Sequence, residues 1–249
     1  MPSNTKYPSP NDWTHATKRQ QERAARSFAQ LALRKMPVYD GPLVVGDDEE
    51  VQLQSPIDAA KRALVLWAVA LKGDGAPTDL ALEIVEKTNV WDAVSEKEYA
   101  FLTDRDPDPE CCQELKWRLE AIWVLLWALC QVEELPWPYT ICNMQIMHQI
   151  MYAAEQDPDF IKDARLRDKS ELLDAQDLTL RIRWSIRNTI LHSEDQMLPE
   201  ALDWSEPGEM IHWSKSESPS VTHERHHTLN WLVRFMETGN NWDRVETHT

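Results

Sequence analysis

Glycine is scarce in this sequence, with 6 among 249 residues. An all-β protein or a doubly wound nucleotide-binding fold needs many tight turns, so both are disfavoured. Basic residues are few as well: 26 Lys and Arg stand against 42 Asp and Glu, a formal charge of −16. Neutralising phosphates or anionic lipid takes clustered cations, so neither nucleic acid nor membrane is an expected partner. The four cysteines, Cys111, Cys112, Cys130 and Cys142, form no C-x-x-C pair, which leaves out the usual zinc and redox spacings. They read as reduced thiols of a cytoplasmic protein. The opening residues, MPSNTKYPSPNDW, lack the apolar stretch of a signal peptide. The most apolar run, residues 121–132, is too short to cross a bilayer and suits a buried helix. No P-loop, nucleophile elbow or dinucleotide fingerprint is present.

What remains is a chain rich in helix signals. Hydrophobic residues make up 42% and include 12 Trp, enough for one sizeable core. Ser9-Pro10 is a start signal for a surface helix stopping before Pro37, with a thin apolar stripe of Trp13, Ala16, Ala24, Phe28 and Leu31. Residues 38–53, punctuated by Pro and Gly, leave room for at most a short β-hairpin. Ser55-Pro56 starts a second helix closed by Gly73 as its left-handed cap. Further helices are expected over 78–88, from the capping-box spacing SEKE at 95–98, over 110–132, after Asn143, and from Ser170 to about 192. Residues 177–187 also alternate with the period of a strand, but the segment runs about 20 residues without a turn signal, which favours helix. After a polar stretch at 193–220, Thr222 is placed to cap a last helix that ends near Gly239. The reading is a mainly α, single multi-helix domain over 23–249, preceded by an N-terminal helical extension at 1–22.

Four stretches, RAARSFAQLALRKMPVY (23–39), WRLEAIWVLLWAL (117–129), DLTLRIRWSIR (177–187) and ERHHTLNWL (224–232), are closed by WDRVETHT. In order and spacing they resemble a bacterial family catalogued as domain of unknown function 4272. The resemblance implies a mainly helical fold and carries no activity. Its recurrent positions correspond here to Arg181, Trp184, Arg187, Glu224, Arg225, Asn230 and Trp231, whereas His223 falls outside them.

His223, Glu224 and His227 spell H-E-x-x-H, the pattern by which two histidines on one helical face bind zinc and a glutamate activates its water. Against that chemistry, His223 would open its helix, Arg225 would set a cation beside the ion, and Val233 stands where an extended motif places a third histidine. On the simpler reading His223 and His226 ride on the exposed first turn, and Glu224 pairs with an arginine of the RIRWSIR helix. Glu209/His212 and Glu224/His227 also repeat E-x-x-H, the mark of di-iron bundles, but the first copy follows Pro207-Gly208 in a loop. No cofactor or metal is expected.

Residues 162–187 hold seven Lys/Arg against five acids inside this acidic chain. Arg181, Arg187 and Arg225, with Asn230, could clamp a carboxylate or phosphate. They could equally pair with Asp177, Glu224 or Glu120 at a helix interface. Trp67, Trp117, Trp123, Trp127, Trp184 and Trp231 read as core; Trp204 and Trp213 in the polar stretch and Trp242 in the tail could stack on a sugar, a cation or a partner protein, though a loop Trp more often folds back over its own core. The preferred function is a non-enzymatic module that binds another protein, an adaptor or immunity-like role, through its acidic face or the 193–220 stretch. The alternative is a hydrolase or anionic-ligand binder with Glu224 as acid/base, and His226 and Trp231 beside it.

Overall fold

The computed structural model describes residues 13–36, 45–193, 218–237 and 239–247. Among them the regular structure is helical: α1 Lys18–Leu33, α2 Pro56–Gly73, α3 Thr78–Lys87, α4 Glu96–Thr103, α5 Pro109–Leu115, α6 Arg118–Ala128, α7 Met144–Ala154, α8 Lys169–Ser193 and α9 Ser218–Leu232. No strand occurs among the described residues. Within the hairpin candidate, residues 45–53 form a turn around Asp47, and 38–44 lie outside the described residues. The chain is mainly α, and 177–187 are helix.

Several starts follow from local chemistry. The Ser55 hydroxyl accepts from the Asp58 amide with Pro56 at the first helical position, and Ser95 and Glu98 close a capping box on α4. Asn143 caps α7 through the Ile146 amide. Others differ from the sequence reading. α1 begins after Thr17, whose hydroxyl and Gln20 form a capping box, so the Ser9-Pro10 signal does not open it. α1 is the surface helix expected, with one face buried. It packs on α8, with Arg23 buried between Asp48 at 2.7 Å and Asp174 at 2.8 Å.

The helix expected over 110–132 is two helices. Glu114, Lys116 and Trp117 carbonyls accept from residues three positions on, which tightens the chain at 116–117. Cys130, at φ 60°, then ends α6 before residue 132. Gly73 is the last residue of α2 rather than its left-handed cap; Gly75, at φ 97°, has that conformation. A Cβ on Gly73 would lie 2.8 Å from the Lys116 amide and 2.9 Å from the Cys112 carbonyl. Glycine there lets α5 pack against α2.

α2 is the centre of the molecule. Residues Ala63 to Ala70 are buried on every face, as expected of a helix apolar all round. It touches α3, α4, α5, α6 and α7. α6 leans on α9, α9 on α8 and α8 on α1, so the helices run α3–α2–α6–α9–α8–α1 across the body. Lys72 is buried at the far end of α2, where its ammonium donates to the carbonyls of Phe101 at 2.7 Å, Leu102 at 3.1 Å and Asp104. It thereby satisfies the end of α4.

Candidate functional site

α9 lies between α6 and α8, so the sequence-selected residues sit in the interior rather than on an exposed turn. The helix starts at Ser218, four residues before Thr222, with Pro219 second in the helix. It ends at Leu232, short of Gly239. His223 is thus well inside the helix, and His226 is buried instead of riding on an exposed face.

Two ion pairs cross-brace α6 and α9 in opposite senses. Arg118 Nη1 donates to both oxygens of Glu224, at 2.8 and 2.7 Å. Arg225 donates through Nε and Nη2 to Glu120 Oε2, at 2.9 and 2.8 Å, and through Nη1 to the Pro136 carbonyl. The other Glu120 oxygen accepts from the Cys142 amide at 2.6 Å. Arg-x-Glu on one helix facing Glu-Arg on the other pins their register, because a slip would set like charges together in the interior. Glu224 therefore pairs with α6 and not with the arginines of α8. Burial raises its carboxyl above the ordinary range, and Arg118 partly restores it.

The arginine clamp does not assemble. Arg181 Nε and Nη2 bind Asp177 at 2.9 and 3.1 Å, and its guanidinium lies 4.4 Å from the Phe28 ring centre, facing α1. Arg225 faces α6. Arg187 is exposed and Trp184 is half-buried. Asn230 accepts from Gln176 at 2.9 Å and donates to the Glu246 carbonyl at 2.8 Å, tying α8, α9 and the tail together.

Around the histidines the field is cationic. The rings of His223 and His227 are 6.5 Å apart. Burial lowers His223 to about 4, helped by Arg183 and Arg118, and lowers His227 to about 3, helped by Arg118 and His223. Both are neutral at pH 7, as metal ligands must be, yet two guanidinium groups stand where a dication would be repelled. Among the described residues no group of three His, Cys, Asp or Glu side chains is arranged to hold a metal. Glu209 and His212 lie outside the described residues.

Trp242 is buried, folded back over the core instead of offering its ring to a ligand. Its ring meets His227 at 4.4 Å and Trp231 at 5.7 Å, and the Arg62 guanidinium is 5.0 Å from its centre. Arg62 in turn pairs with Glu98 at 2.6 Å. The tail thus completes the core and walls a cavity of about 500 Å³ with α2 and residues 91–97. Trp67, Trp123, Trp127 and Trp231 are core residues, while Trp117 is half-buried. Trp204 and Trp213 are outside the described residues.

A second region escaped the sequence reading of individual residues. Between α3 and α4 an open groove of about 620 Å³ is lined by Asp79, Leu82, Glu83, Glu86, Trp91, Tyr99 and Thr103. Trp91 and Tyr99 meet edge to face at 6.1 Å, and the Trp91 indole donates to Glu86 at 2.7 Å. Leu80 and Tyr99 are exposed. The available signal was charge density: residues 74–110 carry eleven Asp/Glu against three Lys/Arg, half of the chain's net charge.

A family model described as Domain of unknown function (DUF4272) matches residues 23–245. No curated protein and no solved structure matches the chain.

Proposed function

The chain belongs to the domain of unknown function 4272 family, and from that premise, which supplies no chemistry, we propose that it is a non-enzymatic module that binds another protein through the acidic face of α3 and α4. One observation carries the reading: the stretch that holds half of the chain's net charge, residues 74–110, supplies the whole lining of an open aromatic groove. Such charge steers a basic partner and sets orientation, while the rings supply contact area. An adaptor or immunity-type role suits that surface. The cytoplasm suits the thiols, since Cys142 is buried beside Glu120 and its pKa is pushed up by burial, leaving it protonated and inert. No helix among the described residues is long and apolar enough to cross a membrane.

The hydrolase alternative asks Glu224 to move protons while both its oxygens are held by Arg118. The anionic-ligand alternative has one observation in its favour. Arg183 is half-buried, and its Nε finds no acceptor among the described residues. Titration with inorganic phosphate, followed at the His223 ring by NMR, tests that alternative directly.

The protein-binding reading is tested by placing a photo-crosslinking amino acid at Tyr99, and separately at exposed Tyr139, in the cells that make the protein. A discrete adduct with one basic protein at Tyr99, absent at Tyr139, is expected. Absence of an adduct at both positions would sink the reading.

A further inference from the structure

Deepening that reading, and resting on it, we propose that the α3–α4 groove receives an arginine side chain presented by an extended basic segment of the partner protein. The guanidinium lies against Tyr99 and Trp91, with Glu83 and Glu86 as its counter-charges.

Three features point to this occupant. First, the lining is divided between rings and carboxylates. Leu82, Trp91 and Tyr99 form an apolar floor, and Asp79, Glu83 and Glu86 form an anionic rim. A planar cation is the group that satisfies both at once, since it can stack on a ring face while its edge donates to carboxylates. An ammonium of lysine satisfies the charge but lacks the plane.

Second, the rim is underused. Glu83 makes no hydrogen bond or ion pair with any described residue, and Glu86 has one oxygen taken by the Trp91 indole. The indole contact also fixes the ring, so the groove's wall is set before a ligand arrives.

Third, the chain already places a guanidinium at one end. Arg105 donates to Asp79 at 2.9 Å, with both side chains largely exposed. An exposed pair of this kind is weakly held. The protein's own arginine therefore shows what the rim accepts and competes mildly for it. A second copy of the chain is a poor occupant, because two bodies of charge −16 repel.

The test uses the full chain with acetyl-tetraarginine amide as probe, acetyl-tetralysine amide and acetyl-tetraglutamate amide as comparisons, and the Trp91 indole N–H as NMR reporter. Tetraarginine is expected to shift that resonance at saturation, more tightly than tetralysine, and tetraglutamate is expected to leave it unmoved. Tyr99→Ala removes an exposed ring and should weaken tetraarginine binding about threefold to fivefold. Glu83→Gln with Glu86→Gln should weaken it about fivefold. Arg105→Ala should tighten it about twofold, by freeing Asp79. Glu133→Gln with Glu134→Gln, exposed and outside the groove, should change nothing.

Equal weakening by the Glu133/Glu134 pair would mean that the peptide answers net charge, and the groove assignment would fall. Equal affinity for tetralysine, or no effect of Tyr99→Ala, would overturn the choice of arginine on an aromatic floor. The two levels are separable. A cellular adduct at Tyr99 with no groove-dependent peptide binding removes this inference and keeps protein binding. Groove-dependent peptide binding without any cellular adduct removes the protein partner, and with it the partner segment proposed here, and leaves only a groove that takes arginine.

Discussion

Replacing Glu120 with alanine tests whether the cross-brace holds α6 to α9. Glu120 and Arg225 are each about 2% exposed. The substitution leaves the buried guanidinium with the Pro136 carbonyl alone and strips the Cys142 amide of its acceptor. Removing one partner of a buried pair costs about 3–5 kcal/mol, and an orphaned buried amide costs about 1–3 kcal/mol. Because the two overlap, the expected loss is about 4 kcal/mol. With a urea slope of about 3 kcal/mol per molar, the midpoint should fall by about 1.3 M. Buried Trp123, Trp127 and Trp231 report the transition by fluorescence. The double variant Glu120→Leu, Arg225→Met removes both charges and should recover to within about 2 kcal/mol of the parent, the residue being the Cys142 amide. A loss below about 1 kcal/mol in Glu120→Ala, or a double variant no better than the single, would refute the reasoning.

Three further outcomes are expected. His223 and His227 take up protons in the unfolded chain near pH 6.5 but only near 4 and 3 in the fold. Their stabilising contribution is therefore complete above about pH 6.5 and is lost as pH falls towards 4, on the order of a few kcal/mol. Glu224, raised by burial, works in the opposite sense over part of that range. Urea midpoints at about pH 7 and about pH 5 should show the loss, and His227→Leu should flatten the slope; an unchanged slope would count against the burial of that ring. Gly73→Ala drives a methyl into the Lys116 and Cys112 backbone and should cost about 2–3 kcal/mol; a midpoint equal to the parent's would show that α5 yields freely. Protein purified without a histidine tag or added metal should carry far less than one zinc per chain by mass spectrometry, because Arg118 and Arg183 oppose a dication at His223. A full equivalent, lost in His223→Ala, would reinstate the zinc-peptidase pattern.

Elements whose causes are local were legible in the sequence. Ser55-Pro56, the SEKE capping box and Asn143 act within four residues, and each helix begins where that chemistry places it. Ser218 and Pro219 already belong to α9, so Thr222 lies inside the helix and does not cap it. The Ser9-Pro10 signal misled because Thr17 with Gln20 offers a complete capping box eight residues later. The break at 116–117 has no glycine or proline to announce it, and the Lys116 backbone there packs closely on Gly73, about 40 residues away in the chain. The partners of Glu224 and Arg225 lie 106 and 105 residues away in the chain. Arg118 is within the family-like stretch, but nothing at that position says which distant carboxylate it meets. For a related reason the tail left open whether Trp242 stacks on a ligand or folds back: its neighbours, Arg62 on α2 and Trp231 on α9, meet it only in the fold.

Gln54, two residues before α2, is fastened to the end of α9. The Gln54 amide donates to the Leu232 carbonyl at 2.8 Å, and its side chain donates to Trp231 and Gly239. Those partners are separated by 177 and 185 residues. During synthesis at ~5–20 residues per second, the lead-in to α2 waits on the order of ten to thirty-five seconds for its anchor to be made. α3 to α7 arrive sooner and cover most of α2, but its start, where Arg62 meets Trp231 and Trp242, waits for α9 and the tail. The growing polypeptide thus passes through a stage with one end of an apolar helix unfastened, which is a natural substrate for a chaperone that grips hydrophobic segments.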